Sequence, residues 1–143
     1  MSIIFLVATE YEINNQKTLF GHPVLITGIG KINATYAACK AINSGYTHII
    51  NIGSSGSLSL NQGEVIKIGE VYQDIDLTPL CEYGETLFEK NSSKIKIDES
   101  IFSCLTTDYF IDFNQKQKYS SFLLEKIKFC SVFDMECFAI AKV

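Results

Sequence analysis

The sequence contains no arginine, and all twelve of its basic residues are lysines. Arginine is the usual bidentate partner of phosphate and carboxylate groups, so its absence argues against a site built to clamp a phosphate. The net charge of −4 argues against a surface that binds a nucleic-acid backbone. No apolar run approaches the length that spans a bilayer. We therefore expect neither a nucleic-acid partner nor a membrane partner.

Patterns for metal binding and disulfide formation are also missing. The five cysteines are irregularly spaced and form no C-x-x-C pair, and His22 and His48 stand alone. We expect no disulfide framework, no metal site and no cofactor. The apolar N-terminal stretch has no basic region before it, so it predicts a first strand rather than a signal peptide. Reduced thiols and the missing signal peptide favour a cytoplasmic location.

The length of 143 residues suits a single domain, residues 1–143. Within it the clearest pattern is strand, turn, helix, strand. Residues 23–27 predict a strand, a Gly-x-Gly turn follows, and residues 31–44 carry apolar side chains at helical spacing. The apolar run at residues 48–52 then predicts a buried parallel strand. Together these segments predict a right-handed βαβ unit.

Strands and helices alternate along the rest of the chain as well, which predicts an α/β fold. Further strands are expected at residues 3–8, 64–72, 101–106 and 128–133, and helices at residues 112–128 and from residue 135 onward. A loop is expected at residues 74–90 and a polar, exposed stretch at residues 91–99.

A run of glycine and serine at residues 53–57 directly follows the strand at residues 48–52. Ligands of open α/β sheets bind beyond the carboxyl ends of the strands. Small side chains let a ligand approach backbone N–H groups closely. We predict that this run forms the floor of a binding site, although a plain connecting turn fits the pattern equally well. The earlier Gly28-x-Gly30 turn lacks the third glycine and the ribose-binding acid of a dinucleotide site.

Acidic residues at two places are candidates for chemistry. Glu12 stands three residues after Thr9, as in a capping box, so a purely structural role is a strong alternative. Asp134 and Glu136 lie at a strand-to-helix junction, where carboxylates are common for electrostatic reasons alone. A carboxylate can also accept hydrogen bonds from both neighbouring hydroxyls of a ribose. Its charge favours the oxocarbenium-like transition state of glycosidic cleavage.

Aromatic residues, Tyr109 and Phe110, follow the strand at residues 101–106. An aromatic ring in such a position either stacks on a base or fills the core. General burial tendencies favour the core by about two to one.

Six short motifs occur in order along the chain: Ala8-Thr9-Glu10-Tyr11-Glu12, Gly28-Ile29-Gly30-Lys31-Ile32-Asn33-Ala34, Asn51-Ile52-Gly53-Ser54-Ser55-Gly56, Asp74-x-Asp76-x-Thr78, Asp108-Tyr109-Phe110-Ile111 and Asp134-Met135-Glu136. Each is weak alone, but the ordered set resembles the nucleoside phosphorylase/nucleosidase superfamily. Within it, the set is most similar to the 5′-methylthioadenosine/S-adenosylhomocysteine nucleosidases.

The resemblance implies a twisted mixed central sheet flanked by helices, usually in a homodimer. It also implies hydrolysis of the N-glycosidic bond of a purine nucleoside. Glu12 would position the attacking water, Phe110 would stack on the purine, and the loop at residues 74–84 would cover the neighbouring subunit's site. The implied substrate-binding residues are Ser54, Ser55, Gly56, Phe110, Ile111, Asp134, Met135 and Glu136.

Two departures from the family pattern leave alternatives open. The family usually has glutamate where this chain has Asp134. The family also continues beyond the helix at Met135 into a strand ending in an aspartate that protonates the leaving purine. We therefore expect a C-terminally truncated form of the fold, and binding of a nucleoside without turnover is one alternative. Hydrolysis of futalosine and phosphorolysis are others, although the lack of arginine favours water as the nucleophile.

Overall fold

Parallel strands and flanking helices make up most of the structure, a computed structural model that describes residues 1–90 and 92–143. The strands are β1 (Ile3–Val7), β2 (Thr18–Leu19), β3 (His22–Ile26), β4 (His48–Asn51), β5 (Ile68–Gln73), β6 (Lys94–Lys96), β7 (Phe102–Thr106) and β8 (Val132–Asp134). The α-helices are α1 (Lys31–Asn43), α2 (Ser121–Phe129) and α3 (Cys137–Lys142). Two 3-10 helices lie at Glu10–Ile13 and Phe113–Lys118.

The first four strands form a mixed sheet in the order β2-β3-β1-β4. β1 lies between β3 and β4 and is parallel to both, which confirms the predicted βαβ unit. The side chains of β1 are almost entirely buried because the strand is central. Among the described strands β4 pairs only with β1 and lies at the edge. The prediction of a buried strand is therefore wrong there, and Ile50 is 39% exposed.

The last four strands form a second mixed sheet in the order β6-β5-β7-β8. Side chains of β5 and β7 alternate between two apolar clusters, as expected for strands covered on both faces. Tyr72 and Leu105 pack with α2 on one face. Val71 and Cys104 pack with α3 on the other. The loop that follows β4 is joined to the second sheet by an antiparallel bridge between Gly56 and Phe133.

These two mixed sheets and their helices confirm the predicted α/β fold class, while several predicted boundaries were wrong. The expected helix at residues 112–128 is divided by extended backbone at Tyr119 and Ser120, and the Ser120 hydroxyl caps α2 by accepting from the Leu123 amide. The polar stretch at residues 91–99 contains β6, and residue 91 lies outside the described residues. The strands predicted at 64–72 and 128–133 begin later, at Ile68 and Val132. In the described part of the chain, no helix is long and apolar enough to cross a membrane.

Candidate functional site

A cavity of about 680 Å³ opens where β1, β4, β7 and β8 end. All nine residues that the sequence analysis named for catalysis or substrate binding line it: Glu12, Ser54, Ser55, Gly56, Phe110, Ile111, Asp134, Met135 and Glu136. They follow different strands, and they meet because parallel strands bring their carboxyl ends to one edge. A second cavity, of about 690 Å³, lies between the loop at residues 78–83 and α2 and contains none of these nine.

Glu12 is held by hydrogen bonds on both carboxylate oxygens. Its Oε2 accepts from the Thr9 amide at 3.0 Å, as the capping-box pattern predicted. Its Oε1 accepts from the amide of Ser54 at 2.8 Å and from the Ser54 hydroxyl at 2.7 Å. The capping contact with Thr9 and the two contacts with Ser54 together hold this carboxylate at the cavity wall.

Glu136 reaches across to the glycine turn of the first sheet. Its Oε1 accepts from the Gly30 amide at 2.7 Å. Gly30 has a φ of +96°, in the left-handed region that glycine tolerates, and this conformation presents its N–H to the carboxylate. Burial raises the pKa of Glu136, and the negative charges of Asp134 and Glu12 raise it further against the opposing Gly30 hydrogen bond. The cavity thus gathers carboxylates whose charges act on one another.

Asp134 also lines the cavity, but protein groups bond to both of its oxygens. Oδ1 accepts from the Thr106 hydroxyl at 2.7 Å, and Oδ2 accepts from the Cys137 amide at 2.7 Å. Burial raises the pKa of Asp134, while these two hydrogen bonds lower it. Its carboxylate therefore ties β7 to the first residue of α3, directly beside the cavity.

Phe110 stands at the cavity rim with 84% of its surface exposed, so the interpretation of this ring as core is wrong. Ile111, in contrast, is buried. Four aromatic residues that the sequence analysis did not assign to the site also line the cavity: Tyr11, Tyr109, Phe113 and Phe133. Each lies within two positions of a predicted site residue, and this proximity was the only available signal. Together with Phe110, these rings make part of the cavity wall aromatic.

Two ring pairs order that aromatic wall. Tyr109 stacks on Tyr119 with ring centroids 5.8 Å apart, and Phe113 meets Phe133 edge-on at the same separation. Burial, followed by the nearby Asp74 carboxylate, raises the pKa of Tyr109, so its hydroxyl stays protonated near neutral pH. The cavity wall therefore includes aromatic rings that are held in place by other rings.

No lysine is found among the described residues that line the cavity. Lys31, the cation next to the glycine turn, points to the neighbouring loops. Its Nζ donates to the Asp74 carbonyl at 3.2 Å and pairs with the Asp108 carboxylate at 3.0 Å. The cavity charge therefore comes from carboxylates, and this suits a ligand that develops positive charge.

Similarity between this chain and known proteins is found in the three-dimensional structure. No protein-family model matches the chain, and no curated protein matches it. Futalosine hydrolase of Helicobacter pylori superposes with a TM-score of 0.77 at 18% identity, covering 99% of this chain and 77% of that one. The 5′-methylthioadenosine/S-adenosylhomocysteine nucleosidase of the same organism, with butyl-thio-DADMe-Immucillin-A, gives 0.73 at 19% identity, with coverages of 99% and 78%.

A third solved structure also has this fold. It is a putative 5′-methylthioadenosine/S-adenosylhomocysteine nucleosidase from Borrelia burgdorferi bound to adenine, with a TM-score of 0.67 and 27% identity. The match covers 98% of this chain and 78% of that one. The order of the motifs, the two mixed sheets and these superpositions agree, and the chain has the nucleoside phosphorylase/nucleosidase fold.

Proposed function

We propose that this protein hydrolyses the N-glycosidic bond of a purine nucleoside of the 5′-methylthioadenosine/S-adenosylhomocysteine type, with water as the nucleophile. The observation that carries the proposal is the cavity that joins Glu12 and Glu136 to an exposed aromatic ring at Phe110. Solved proteins of the same fold are named as nucleosidases of these substrates or as futalosine hydrolase, which supports the reaction class.

Glu12 is our candidate for the residue that orients and activates the water. The Ser54 and Thr9 hydrogen bonds hold its carboxylate in one orientation, so little reorganisation is needed when the water is positioned. The water oxygen forms the new bond to the anomeric carbon, and Glu12 accepts the proton that the water loses. A positioned general base of this kind contributes about 10²–10⁴ in rate.

Glu136 is our candidate for the ribose ligand. Gly30 occupies one lone pair of Oε1, and a carboxylate offers about four acceptor sites. The remaining sites suit two adjacent sugar hydroxyls, and the negative charge stabilises the oxocarbenium-like sugar in the transition state. We assign Asp134 to positioning, because its carboxylate joins Thr106 of β7 to the first residue of α3 and so fixes the segment that carries Glu136. Met135 would pack against the sugar.

The base would lie against Phe110, with backbone contacts at Ile111, and the small residues Ser54, Ser55 and Gly56 would line the same pocket. When the glycosidic bond breaks, its electron pair passes to the purine, which takes up a proton from solvent. Glu12 returns the proton that it accepted from the attacking water to solvent, so the two transfers balance. Stacking of a base on an aromatic ring contributes about 1–3 kcal/mol. A purine therefore fits this wall better than a group without a flat face.

Water is favoured over phosphate because phosphate needs cationic partners. Lys31 is paired with Asp108, and no lysine is found among the described lining residues.

Futalosine is the second candidate substrate, since futalosine hydrolase superposes as well as the nucleosidases do. Three features stay predictions: the homodimer, the cytoplasmic location, and the covering of the neighbouring subunit's site by the loop at residues 74–84.

The test is release of the free base from 5′-methylthioadenosine, S-adenosylhomocysteine and futalosine, each with and without inorganic phosphate, alongside calorimetric binding of each nucleoside. We expect release that does not depend on phosphate. Strictly phosphate-dependent release would contradict the hydrolase assignment. Binding without release would instead support the nucleoside-binding alternative, and neither binding nor release would remove the proposal altogether.

Glu136→Gln tests the ribose assignment with little change in shape. Hydrogen bonds to a charged group contribute about 1.5–3 kcal/mol, so we expect nucleoside affinity to fall about 10- to 150-fold. Glu125→Gln, on the exposed face of α2 and outside this cavity, is the matched control and should leave affinity unchanged.

A further inference from the structure

Three side chains with metal-binding atoms meet where β7, β8 and α3 come together. They are Cys104 in β7, Asp134 at the end of β8 and Cys137 at the start of α3. Their two sulfur atoms and a carboxylate oxygen all lie within 4.8 Å of one another. Cys104 is 2% exposed, and the other two are partly buried. The cluster is therefore a small enclosed group of donors and not a set of surface acids.

The register of the second sheet explains why these residues meet. Cys104 and Thr106 are two residues apart in β7, so their side chains lie on the same face of the strand. Their partners in β8 are Val132 and Asp134. α3 packs on that face and brings Cys137 onto it. The sequence pattern predicts no metal site, because the five cysteines are irregularly spaced and form no C-x-x-C pair. Cys104 and Cys137 are distant along the chain and close only through the parallel pairing of β7 and β8.

The donor set matches the preferences of a thiophilic divalent ion. Thiolates select zinc over magnesium and calcium, which take oxygen ligands. In a tetrahedral zinc site with bonds of about 2.0–2.3 Å, neighbouring ligand atoms are separated by roughly 3.5–3.8 Å. The cluster needs to contract by about an ångström at most to reach that geometry. Three protein ligands leave the fourth position to a small molecule or water.

Neighbouring groups already orient the Asp134 carboxylate. The Thr106 hydroxyl donates to Asp134 Oδ1 and accepts from the Phe138 amide at 2.8 Å. The Cys137 amide donates to Asp134 Oδ2. Val71, Val132 and Phe138 enclose the sulfur side with apolar surface. Outer hydrogen bonds and an apolar shell of this kind fix the ligands of known metal sites.

We propose that Cys104, Asp134 and Cys137 form a binding site for Zn²⁺. The two thiols each lose a proton to solvent as their sulfur atoms bond to the ion, so no oxidant or reductant is involved. The site borders the nucleoside cavity through Asp134 but does not depend on what that cavity binds. Zinc binding is therefore measurable whether or not the protein cleaves a nucleoside.

The experiment uses the full chain, reduced and freed of metal with a chelator, and titrated with zinc against a chromogenic competitor. We expect one zinc ion per chain. Cys137→Ser and Asp134→Asn should weaken the affinity at least 10-fold, by analogy with the losses seen on disturbing metal sites. Cys39→Ser and Cys81→Ser, which remove thiols outside the cluster, should leave affinity and stoichiometry unchanged. Magnesium in excess should not compete.

Cobalt substitution gives a second readout that reports the ligands themselves. Co²⁺ bound to thiolates shows charge-transfer absorption in the near ultraviolet, and Cys137→Ser should reduce that band. Because Cys104 is buried and its removal can disturb folding, the partly buried Cys137 carries the test. The proposal is wrong if the parent chain binds no zinc in the micromolar range. It is equally wrong if Cys39→Ser weakens binding as much as Cys137→Ser does.

Discussion

Replacing Gly56 by alanine should destabilise the protein where the loop after β4 pairs with the second sheet. Gly56 and Phe133 exchange two backbone hydrogen bonds of 2.9 Å each. A β-carbon on Gly56 would lie 2.1 Å from Cε2 and 2.5 Å from Cζ of the Phe133 ring. Carbon atoms in favourable contact are about 3.5–4.0 Å apart, so the ring or the strand must move by well over an ångström.

The size of the effect follows from that clash. Overpacking of a fitted site costs about 1–3 kcal/mol. Loss of a bridge hydrogen bond adds about 0.5–1.5 kcal/mol. We expect the free energy of unfolding of Gly56→Ala to fall by about 2–4 kcal/mol. At roughly 3 °C per kcal/mol for a chain of this size, Tm should drop by about 6–12 °C. Nucleoside affinity should fall as well, because the displaced Phe133 ring lines the cavity.

Gly53→Ala is the matched control, three residues earlier in the same glycine and serine run. Its β-carbon would lie 3.4 Å from Glu12 Oε1, an ordinary contact, and its φ is not in the left-handed region. We expect its stability to be unchanged or raised by about 0.4–1 kcal/mol through the lower entropy of the unfolded chain. Urea and thermal unfolding, followed by circular dichroism, measure both variants. If Gly56→Ala unfolds together with the parent chain, the packing argument is refuted.

Three further substitutions test other parts of the structure. Glu12→Gln should lower the hydrolysis rate about 10²- to 10⁴-fold, whereas Glu10→Gln on the same turn should not, and equal rates would exclude Glu12 as the base. Phe110→Ala should weaken nucleoside binding by about 1–3 kcal/mol in a calorimetric titration, and Phe20→Ala, a similarly exposed ring outside the cavity, supplies the comparison. Ser120→Ala removes the α2 cap and should cost about 0.5–2 kcal/mol in urea unfolding, and an unchanged midpoint would contradict the cap.

The βαβ unit and the α/β class could be predicted from sequence because their signals are local. Helical spacing of apolar residues and the two glycines around α1 mark its limits within one stretch of chain. The division of the helix expected at residues 112–128 was missed, although Ser120 is a good N-cap residue. Apolar residues on both sides of the break continue the helical pattern, and that continuity concealed the cap. The exposure of β4 was missed because strand order is not encoded in the strand itself.

The site residues could be predicted from the sequence as a set of motifs. The hydrogen bonds that join distant site residues could not be predicted. Local spacing placed Glu12 beside Thr9, but the hydrogen bond from Gly30 to Glu136 joins residues at opposite ends of the chain. Such contacts depend on sheet order and helix packing, and single-sequence patterns carry neither. The same holds for the approach of Cys104 to Cys137, which arises from the pairing of β7 with β8.

The carboxylates of the cavity come from both halves of the chain: Glu12 follows β1 of the first sheet, whereas Asp134 and Glu136 lie at and just after the end of β8 in the second. A molecule that binds carboxylates of both halves would link them. Its binding would then raise the free energy of unfolding by RT ln(1 + [L]/Kd). The amides of Gly30 and Gly56 donate to Glu136 and Phe133 in the other half of the chain. They should therefore exchange their hydrogens more slowly as the cavity fills. Occupancy of the site can in this way be observed at two backbone positions even when no bond is cleaved.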